Sequence, residues 1–430
     1  MPAGSGLAAL LAELEWRGIL QATTPGLPDR LASGRPIAGY IGFDPSAPSL
    51  HVGHLVPIFG LLRLQRFGGR PVAVVGGGTG MIGDPSGRSS ERNLLDREAL
   101  EANVASIRSQ LERFLDFGAG EGSAQMVNNL DWLGEFSLIE FLRDVGKHFT
   151  VPYMLAKDSV QVRLDRGLSF TEFSYMLLQA ADFEHLHRTM GVELQMGGAD
   201  QWGNITAGLE LIRRRGGVEE GGADPAHGLA YKLLLSPSGA KFGKSEGGES
   251  VWLDPALTSP FAFYQYWLNT DDRDVGTYLR WFTEVPREEI GRLDASVASA
   301  PERREAQRAL ARDITARTHG AEAAASAEQQ AASVFERGLV QLSPDEFAAA
   351  AVDLPRVTLT VDGSWTAAGT AVASGAASSN GEARRLISQG GLYINDERVT
   401  DPNAPLPDPL HGRYWVIRTG KKNTRILEGA

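Results

Sequence analysis

The sequence predicts an α/β fold with a parallel sheet, followed by a helical region and a small α+β module. Apolar runs at 35–41 and 71–75 flank an amphipathic stretch at 55–67, the strand–helix–strand order of a parallel βαβ unit. A second strand-to-helix corner occupies 192–214. From residue 260 the pattern becomes helical, and a short basic piece closes the chain. These observations together predict the fold class.

Composition excludes several classes of protein. The 430 residues contain no cysteine, which excludes disulfides and thiolate chemistry and fits a cytoplasmic location. No apolar run approaches the ~18 residues of a membrane span, and 7–20 carries two glutamates, so it predicts an amphipathic helix rather than a signal peptide. No zinc motif is present. The net charge of −11 argues against a general nucleic-acid-binding surface, but 371–430 carries eight basic and six acidic residues.

The first strand-to-helix corner carries a histidine pair. In a βαβ unit, ligands bind at the carboxyl ends of the strands, where a helix N-terminus suits a phosphate. His51 and His54 lie three residues apart, so they share one face there, and Gly53 lets a nucleotide approach the backbone. Two polar residues beside an ordinary turn are the alternative. Pro57 is expected to remove one helical N–H bond and to kink the helix.

Two further stretches could contribute to the same cleft. The glycine-rich loop 76–88 is neither a P-loop nor a dinucleotide motif, and its Asp84 is placed to face the sheet end. Arg88 and Arg92 follow; they could close over phosphates or lie on a surface loop. At 197–204 the second corner is rich in glycine and amides, so its polar residues could converge with those of the first.

A polar stripe follows one face of a predicted helix at 169–183. Tyr175, Gln179 and Asp182 occupy positions i, i+4 and i+7, which place them on the same face. Such a stripe is often solvated. Tyrosine, glutamine and aspartate without lysine or arginine favour a hydrogen-bonding pocket instead.

A Gly/Ser loop with two lysines follows a predicted strand at 231–235. Lys241 and Lys244 could form a mobile cationic clamp for a polyphosphate, although lysines in such loops are usually solvated. The C-terminal piece predicts a helix with paired arginines and a hairpin, which suits RNA backbone binding or a charged surface. Its candidate RNA contacts are Arg384, Arg385, Lys421 and Lys422.

These motifs resemble those of bacterial tyrosyl-tRNA synthetases, a class I family, over nearly the whole chain. His51-Val52-Gly53-His54 matches the HIGH motif and Lys241-Phe242-Gly243-Lys244-Ser245 the KMSKS motif, with Phe-Gly in place of Met-Ser. The segment 379–399 resembles an S4-type RNA-binding domain. The resemblance implies a Rossmann-like catalytic domain with a central insertion at 1–237. It also implies the KMSKS loop and a helical anticodon-side domain at 238–340, a linker at 341–368 and an S4-like domain at 369–430.

The resemblance also implies a role for each matching residue. The tyrosine substrate would be bound at its phenol by Tyr40 and Asp182, at its ammonium by Asp84, Tyr175 and Gln179, and near its carboxylate by Gln201. ATP would be bound by Asp44, His51, Gly53, His54, Asp200 and Lys244. The catalytic contacts to the phosphates would come from His51, His54, Lys241, Lys244, Arg88 and Arg92. A lysine is expected where Arg88 stands.

The implied reaction joins L-tyrosine to tRNA(Tyr) through a tyrosyl-adenylate. The substrate carboxylate attacks the α-phosphate of ATP, so no protein nucleophile is needed, and Mg²⁺ arrives with ATP without a tightly bound cofactor or a protein metal site. The family also implies a homodimer, for which 138–155 is the interface candidate.

Three alternatives remain open from the sequence. A tryptophanyl-tRNA synthetase shares the fold, but the Tyr40 and Asp182 pair and the S4-like tail argue against it. A small-molecule adenylyltransferase would not need the helical and basic C-terminal parts. A noncatalytic RNA-binding paralogue would be expected to lose His51, His54, Lys241 or Lys244, and all four are present.

Overall fold

The computed structural model divides the chain into two units. Unit 1 comprises 1–257 and 266–319, and unit 2 comprises 258–265 and 320–430. The structure describes residues 6–86, 97–164, 167–216, 225–234, 242–243, 250–360, 365–420 and 423–429.

The strands of the described residues are β1 (Leu20–Thr23), β2 (Ala38–Phe43), β3 (Arg70–Val75), β4 (Gln125–Asn128), β5 (Val192–Gly198), β6 (His227–Tyr231), β7 (Arg356–Leu359), β8 (Leu392–Ile394), β9 (Glu397–Arg398), β10 (Tyr414–Thr419) and β11 (Asn423–Gly429). The helices are α1 (Leu10–Trp16), α2 (Leu27–Ala32), α3 (Leu55–Arg66), α4 (Arg97–Leu111), α5 (Leu130–Leu133), α6 (Leu138–Asp144), α7 (Val151–Leu155), α8 (Asp158–Leu164), α9 (Phe170–Met190), α10 (Trp202–Arg215), α11 (Pro260–Leu268), α12 (Asp272–Phe282), α13 (Arg287–Ser299), α14 (Glu305–His319), α15 (Ala321–Arg337), α16 (Pro344–Ala350), α17 (Ala367–Ala373) and α18 (Asn380–Ser388).

Unit 1 is built on a six-stranded sheet of order β1-β6-β5-β2-β3-β4. Strands β2 to β6 pair in parallel, and β1 runs antiparallel to β6 at one edge. The strand order reverses between β2 and β5, and in open α/β sheets a crevice forms at such a point, outside the carboxyl ends of the strands. The predicted parallel sheet is confirmed, and its switch point locates the cleft.

The central strands are apolar because both faces of the sheet are covered. On β3, Val72, Ala73 and Val75 are fully buried, as expected for a parallel strand with helices on both sides. Gly228 on β6 has a different role, since a Cβ there would lie 2.6 Å from the Ile205 side chain of α10. The close approach of α10 to the sheet therefore requires a glycine at that position.

Helix α9 carries the predicted polar stripe. It begins after Ser169, whose side chain accepts a hydrogen bond from the backbone N–H of Glu172, and it ends at Gly191, which has a φ of +63°. The predicted helix is confirmed and is longer than the stripe itself, so Tyr175, Gln179 and Asp182 sit on a rigid element.

Three local predictions differ from the structure. The strand predicted at 231–235 is β6, His227–Tyr231, whose glycine and alanine weaken the strand pattern. Strand β1 is a second difference, because the pattern over 7–20 predicts a helix that extends to Leu20, the first residue of this strand. Pro57 lies in the first turn of α3, directly after the helical turn Val52–His54, and α3 continues past it to Arg66, so the helix is not interrupted at the proline.

Unit 2 contains a five-stranded sheet of order β7-β11-β10-β8-β9. Its pairs are antiparallel except β7 with β11. Apolar residues of α17, α18 and the sheet form one core, which includes Ala371, Ile387 and Ile417. The segment 341–368, predicted as a linker, contains α16 and β7, so it is a folded part of this unit.

Among the described residues, no helix is both long and apolar enough to cross a membrane.

Candidate active site

A cavity of about 700 Å³ lies at the carboxyl ends of β2 and β5 in unit 1. Its lining includes every predicted tyrosine- or ATP-contacting residue that the structure describes: Tyr40, Asp44, His51, Gly53, His54, Asp84, Tyr175, Gln179, Asp182, Asp200 and Gln201. These residues come from four separate stretches of the chain. The parallel topology therefore brings the predicted site residues into one cleft.

The buried end of the cavity is formed around Asp182, which is 2% exposed. Asn129 donates its side-chain N–H to Oδ2 at 2.8 Å, and the indole N–H of Trp132 donates to Oδ1 at 2.8 Å. Tyr40 is equally buried, and within the described part of the chain its hydroxyl has no hydrogen-bond partner. The buried end thus presents a carboxyl group fixed by two hydrogen bonds and a hydroxyl that lacks a hydrogen-bond partner among the described residues.

Burial dominates the electrostatics of this end. Desolvation raises the pKa of Asp182 to about 8, and the charge of Asp44 acts in the same direction. The hydrogen bonds from Asn129 and Trp132 oppose this shift in pKa. Burial, and after it the charge of Asp182, holds the pKa of Tyr40 well above its ordinary value. Both groups are therefore suited to hydrogen bonding in neutral form at pH 7.

Asp84 is held by two neighbours. Its Oδ2 accepts from the side chain of Gln201 at 2.6 Å, and its Oδ1 accepts from the backbone N–H of Ser86 at 2.9 Å. Asn204 donates to the Oε1 of Gln201 at 3.1 Å, so the amide of Gln201 has one orientation. Burial, and then the charge of Asp84, raises the pKa of Asp200. This region suits a cationic group of a ligand.

The histidine turn forms a second end of the cavity, with His51, Gly53 and His54. The Nδ1 of His51 accepts from the N–H of Gly53 at 3.0 Å, and the N–H of His51 donates to the Nδ1 of His54 at 3.1 Å. A short helical turn over Val52–His54 then leads into α3. A Cβ at Gly53 would lie 2.6 Å from the His51 ring, so glycine is required there.

A hydrogen-bonded chain runs between the two ends. Thr79 donates to Oδ1 of Asp44 at 3.2 Å and accepts from the side-chain N–H of Asn129 at 2.9 Å. The backbone turns tightly beside it, because a Cβ at Gly76 would lie 2.4 Å from both Asp44 and Thr79. The position of Asp44 is therefore tied to the residue that holds Asp182.

The middle of the two-lysine motif lies against the histidine turn. A Cβ at Gly243, which has a φ of +95°, would lie 3.5 Å from the backbone nitrogen of Gly53. Phe242 packs in an aromatic cluster and stacks on Phe282, with ring centroids 5.5 Å apart and an interplanar angle of 10°. The Phe-Gly replacement therefore supplies an aromatic anchor and a left-handed glycine.

Several predicted site residues fall elsewhere. Arg88, Arg92, Lys241, Lys244, Lys421 and Lys422 lie outside the described residues. Arg384 and Arg385 are exposed on α18 of unit 2. Among the described residues, no group of three or more histidine or acidic side chains is placed to hold a metal ion.

Sequence reasoning missed the residues that hold Asp182. Asn129 directly follows β4, at the carboxyl end of a parallel strand, and this position was an available signal. Trp132 and Thr79 carried no signal of their own, because their partners lie about fifty and thirty-five residues away in the chain. Their roles become visible only when the strand order is known.

Comparisons with known proteins identify the family of this chain. Residues 32–336 match the family described as tRNA synthetases class I (W and Y), and 346–427 match the tyrosine–tRNA ligase SYY-like C-terminal domain. The tyrosine–tRNA ligase of Roseiflexus castenholzii is 49% identical, covering 98% of this chain and 99% of its own. The tyrosine–tRNA ligase of Anaeromyxobacter dehalogenans is 50% identical, over 97% of this chain and 99% of its own.

A solved structure shows the same fold. The C-terminally truncated mitochondrial tyrosyl-tRNA synthetase of Aspergillus nidulans aligns with a TM-score of 0.67 and 31% identity. The alignment covers 76% of this chain and 94% of that one.

Proposed function

This chain belongs to the tyrosine–tRNA ligases of the class I tRNA synthetase family, and from that premise we propose that its cavity binds L-tyrosine at the buried end and ATP at the histidine turn. The two substrates would meet between these ends, near Asp84 and Gln201. The activity is the ATP-dependent attachment of tyrosine to tRNA(Tyr).

The observation that carries the proposal is the pairing of Tyr40 with Asp182 in the buried end. The hydroxyl of Tyr40 has no partner among the described residues, whereas Asp182 is held by two donors. A phenol hydroxyl entering this end can both donate and accept, so it satisfies both groups. An apolar ring without the hydroxyl would leave Tyr40 unpaired and offer Asp182 no ligand partner, which is costly in a buried site.

The substrate's amino-acid end would be bound by groups along the cavity. Asp84, Tyr175 and Gln179 would contact the ammonium, and Gln201 would lie near the carboxylate. Asp44, Asp200 and the histidine turn would contact ATP, with His51 and His54 beside its phosphates. Lys241, Lys244, Arg88 and Arg92 would add positive charge to the leaving group.

The first step transfers an adenylyl group. A carboxylate oxygen of tyrosine forms a bond to the α-phosphorus of ATP, and the bond from that phosphorus to the bridging oxygen breaks, releasing pyrophosphate. In the second step a hydroxyl of the 3′-terminal adenosine of tRNA attacks the activated carbonyl, and AMP leaves. Mg²⁺ would enter as part of the ATP substrate and neutralise charge on its phosphates. The protein's contribution is positioning and charge stabilisation.

Unit 2 is proposed to contact tRNA. It carries the basic helix α18, on which Arg384 and Arg385 are exposed, and Lys421 and Lys422 lie between β10 and β11 in the sequence. Lysine and arginine side chains of this kind bind the phosphate backbone. Functional boundaries near 237 and 340 are part of the proposal.

A homodimer is proposed through the insertion of unit 1. Large apolar side chains are exposed on α6 and the following helices: Leu138, Ile139, Leu142, Val151, Val162 and Phe170. Exposed apolar residues at this density mark an interaction surface. A Phe170→Asp variant is expected to be monomeric by light scattering, because Phe170 is 75% exposed and would be buried by a second copy. Phe335→Asp, in unit 2 and 91% exposed, is the matched control and should leave the mass unchanged.

The test of the activity is ATP–pyrophosphate exchange without tRNA, run with tyrosine, tryptophan or phenylalanine. We expect exchange with tyrosine. Asp182→Ala should lower the preference for tyrosine over phenylalanine by about 10- to 100-fold, the cost of leaving a buried substrate hydroxyl without its partner, with the KM for ATP unchanged. Exchange with tryptophan instead would contradict the assignment of the buried end. Equal losses of tyrosine and ATP binding would contradict the division of the cavity.

A further inference from the structure

We propose that His185 is a positioning residue for the tyrosine hydroxyl and that it acts through Trp132. The proposal rests on the assignment of Asp182 to that hydroxyl. His185 was not among the residues that the sequence singled out, and it is absent from the lining of the cavity. Its effect on the substrate therefore has to pass through another side chain.

The rings of His185 and Trp132 are stacked. Their centroids lie 4.6 Å apart and their planes differ by 8°. His185 follows Asp182 by three residues on α9, so both side chains lie on the same face of the helix, one turn apart. The imidazole thus covers the indole whose N–H donates to Oδ1 of Asp182 at 2.8 Å.

Trp132 depends on such contacts because its own helix is short. Helix α5 has four residues, too few to be stable alone, so packing decides where its side chains point. The indole belongs to an apolar cluster that also contains Tyr40, Phe183 and Leu186. Without the imidazole, the indole could rotate, and its N–H would no longer be aimed at Asp182.

The surroundings of the stacked imidazole favour its neutral form. Burial lowers the pKa of His185, the charge of Arg188 acts in the same direction, and Glu184 and Glu135 oppose them. A neutral ring adds no charge beside Asp182, so its contribution is the flat surface that it offers to the indole. A flat apolar ring at the same position should therefore replace it.

The test compares three variants of His185 by pyrophosphate exchange. His185→Ala should raise the KM for tyrosine about threefold to tenfold, the usual value of an aromatic pair, and leave the KM for ATP unchanged. The kcat/KM for phenylalanine should also be unchanged, since phenylalanine has no hydroxyl for Asp182 to bind. His185→Phe should restore the KM for tyrosine. His185→Leu, which keeps the bulk without the flat ring, should show the same defect as His185→Ala.

His187→Ala provides the matched control, because His187 lies two residues further along α9 and its Nδ1 contacts the carbonyl of Val192. An equal rise in the KM for tyrosine in this variant would overturn the proposal, as would an equal loss of kcat/KM with phenylalanine.

Asp182→Ala, measured in parallel, distinguishes an error in the assigned tyrosine site from an error in the role of His185. If it leaves tyrosine preference intact, the assigned site is wrong. If it abolishes the preference while His185→Ala is unchanged, only the role of His185 is wrong.

Discussion

The two ends of the cavity are held in place by different means. At the buried end, the carboxyl of Asp182 is positioned by the side chains of Asn129 and Trp132, which come from another part of the chain. At the histidine turn, His51 and His54 are positioned by hydrogen bonds to backbone N–H groups within four residues. One end is thus built from tertiary contacts and the other from local ones.

This difference follows from the chemistry of the proposed ligands. A hydroxyl is recognised by polar groups that stay fixed in a dry site, because unpaired buried groups discriminate against the wrong ligand. A triphosphate is large and charged, so it is bound by backbone N–H groups and by long cationic side chains. The buried end should therefore determine which amino acid reacts, and the turn end how fast.

The largest expected effect tests the turn end. Lys244→Ala should slow adenylate formation by about 10²- to 10³-fold, because the positive charge proposed to stabilise the leaving pyrophosphate is lost. Pre-steady-state quench measurements give this rate. Tyrosine affinity, measured by equilibrium dialysis without ATP, should stay within twofold. A loss of tyrosine binding would mean that the two ends are not separate.

The second prediction concerns pH and the buried end. Burial raises the pKa of Asp182 from 3.8 to about 8, so the folded protein binds a proton that the unfolded chain has released. The protonated carboxyl of Asp182 contributes fully to the stability of the folded protein below pH 4, and this contribution is lost as the pH rises towards 8. Relative to Asp182→Asn, the wild-type protein should lose about 2–3 kcal/mol of unfolding free energy between pH 5 and 7. Urea unfolding at both pH values measures this, and a pH-independent difference would contradict it.

A third prediction returns to the histidine turn. Gly53→Ala should raise the KM for ATP about tenfold, because the new Cβ would lie 2.6 Å from the His51 ring and displace it. The KM for tyrosine should not change. Gly291→Ala, whose Cβ on α13 would meet nothing within 4 Å, is the control and should leave both constants unaltered. A parallel change in both variants would argue against steric displacement.

The smallest effect is expected at Pro57. Pro57 lies in the first turn of α3, where the fixed φ of proline suits the helix, and α3 continues past it to Arg66. Pro57→Ala should change the free energy of unfolding by less than about 1 kcal/mol, chiefly through the unfolded chain. Chemical denaturation measures it. A gain of about 3 kcal/mol would show that the proline strains the helix after all.

The sequence alone determined the features that depend on near neighbours. The βαβ unit, the histidine turn and the polar face of α9 follow from periodicity and turn chemistry within about twenty residues, and all were predicted. The tyrosine and ATP residues came from the resemblance, and the described ones line one cavity. The lysine and arginine contacts to phosphate, and the RNA contacts, stay predictions.

Only the tertiary structure decided which side chains hold these residues in place. Asn129 reaches Asp182 across 53 residues, and Trp132 lies under His185, because the strand order places the end of β4 beside α9. The edge strand β1 likewise exists through its pairing with β6. Local patterns reveal which residues are polar or apolar, whereas the partners of a buried polar group are selected by the folded sheet. The residue types that line the site could be predicted from the sequence, but the hydrogen-bond partners that position Asp182 at its buried end could not.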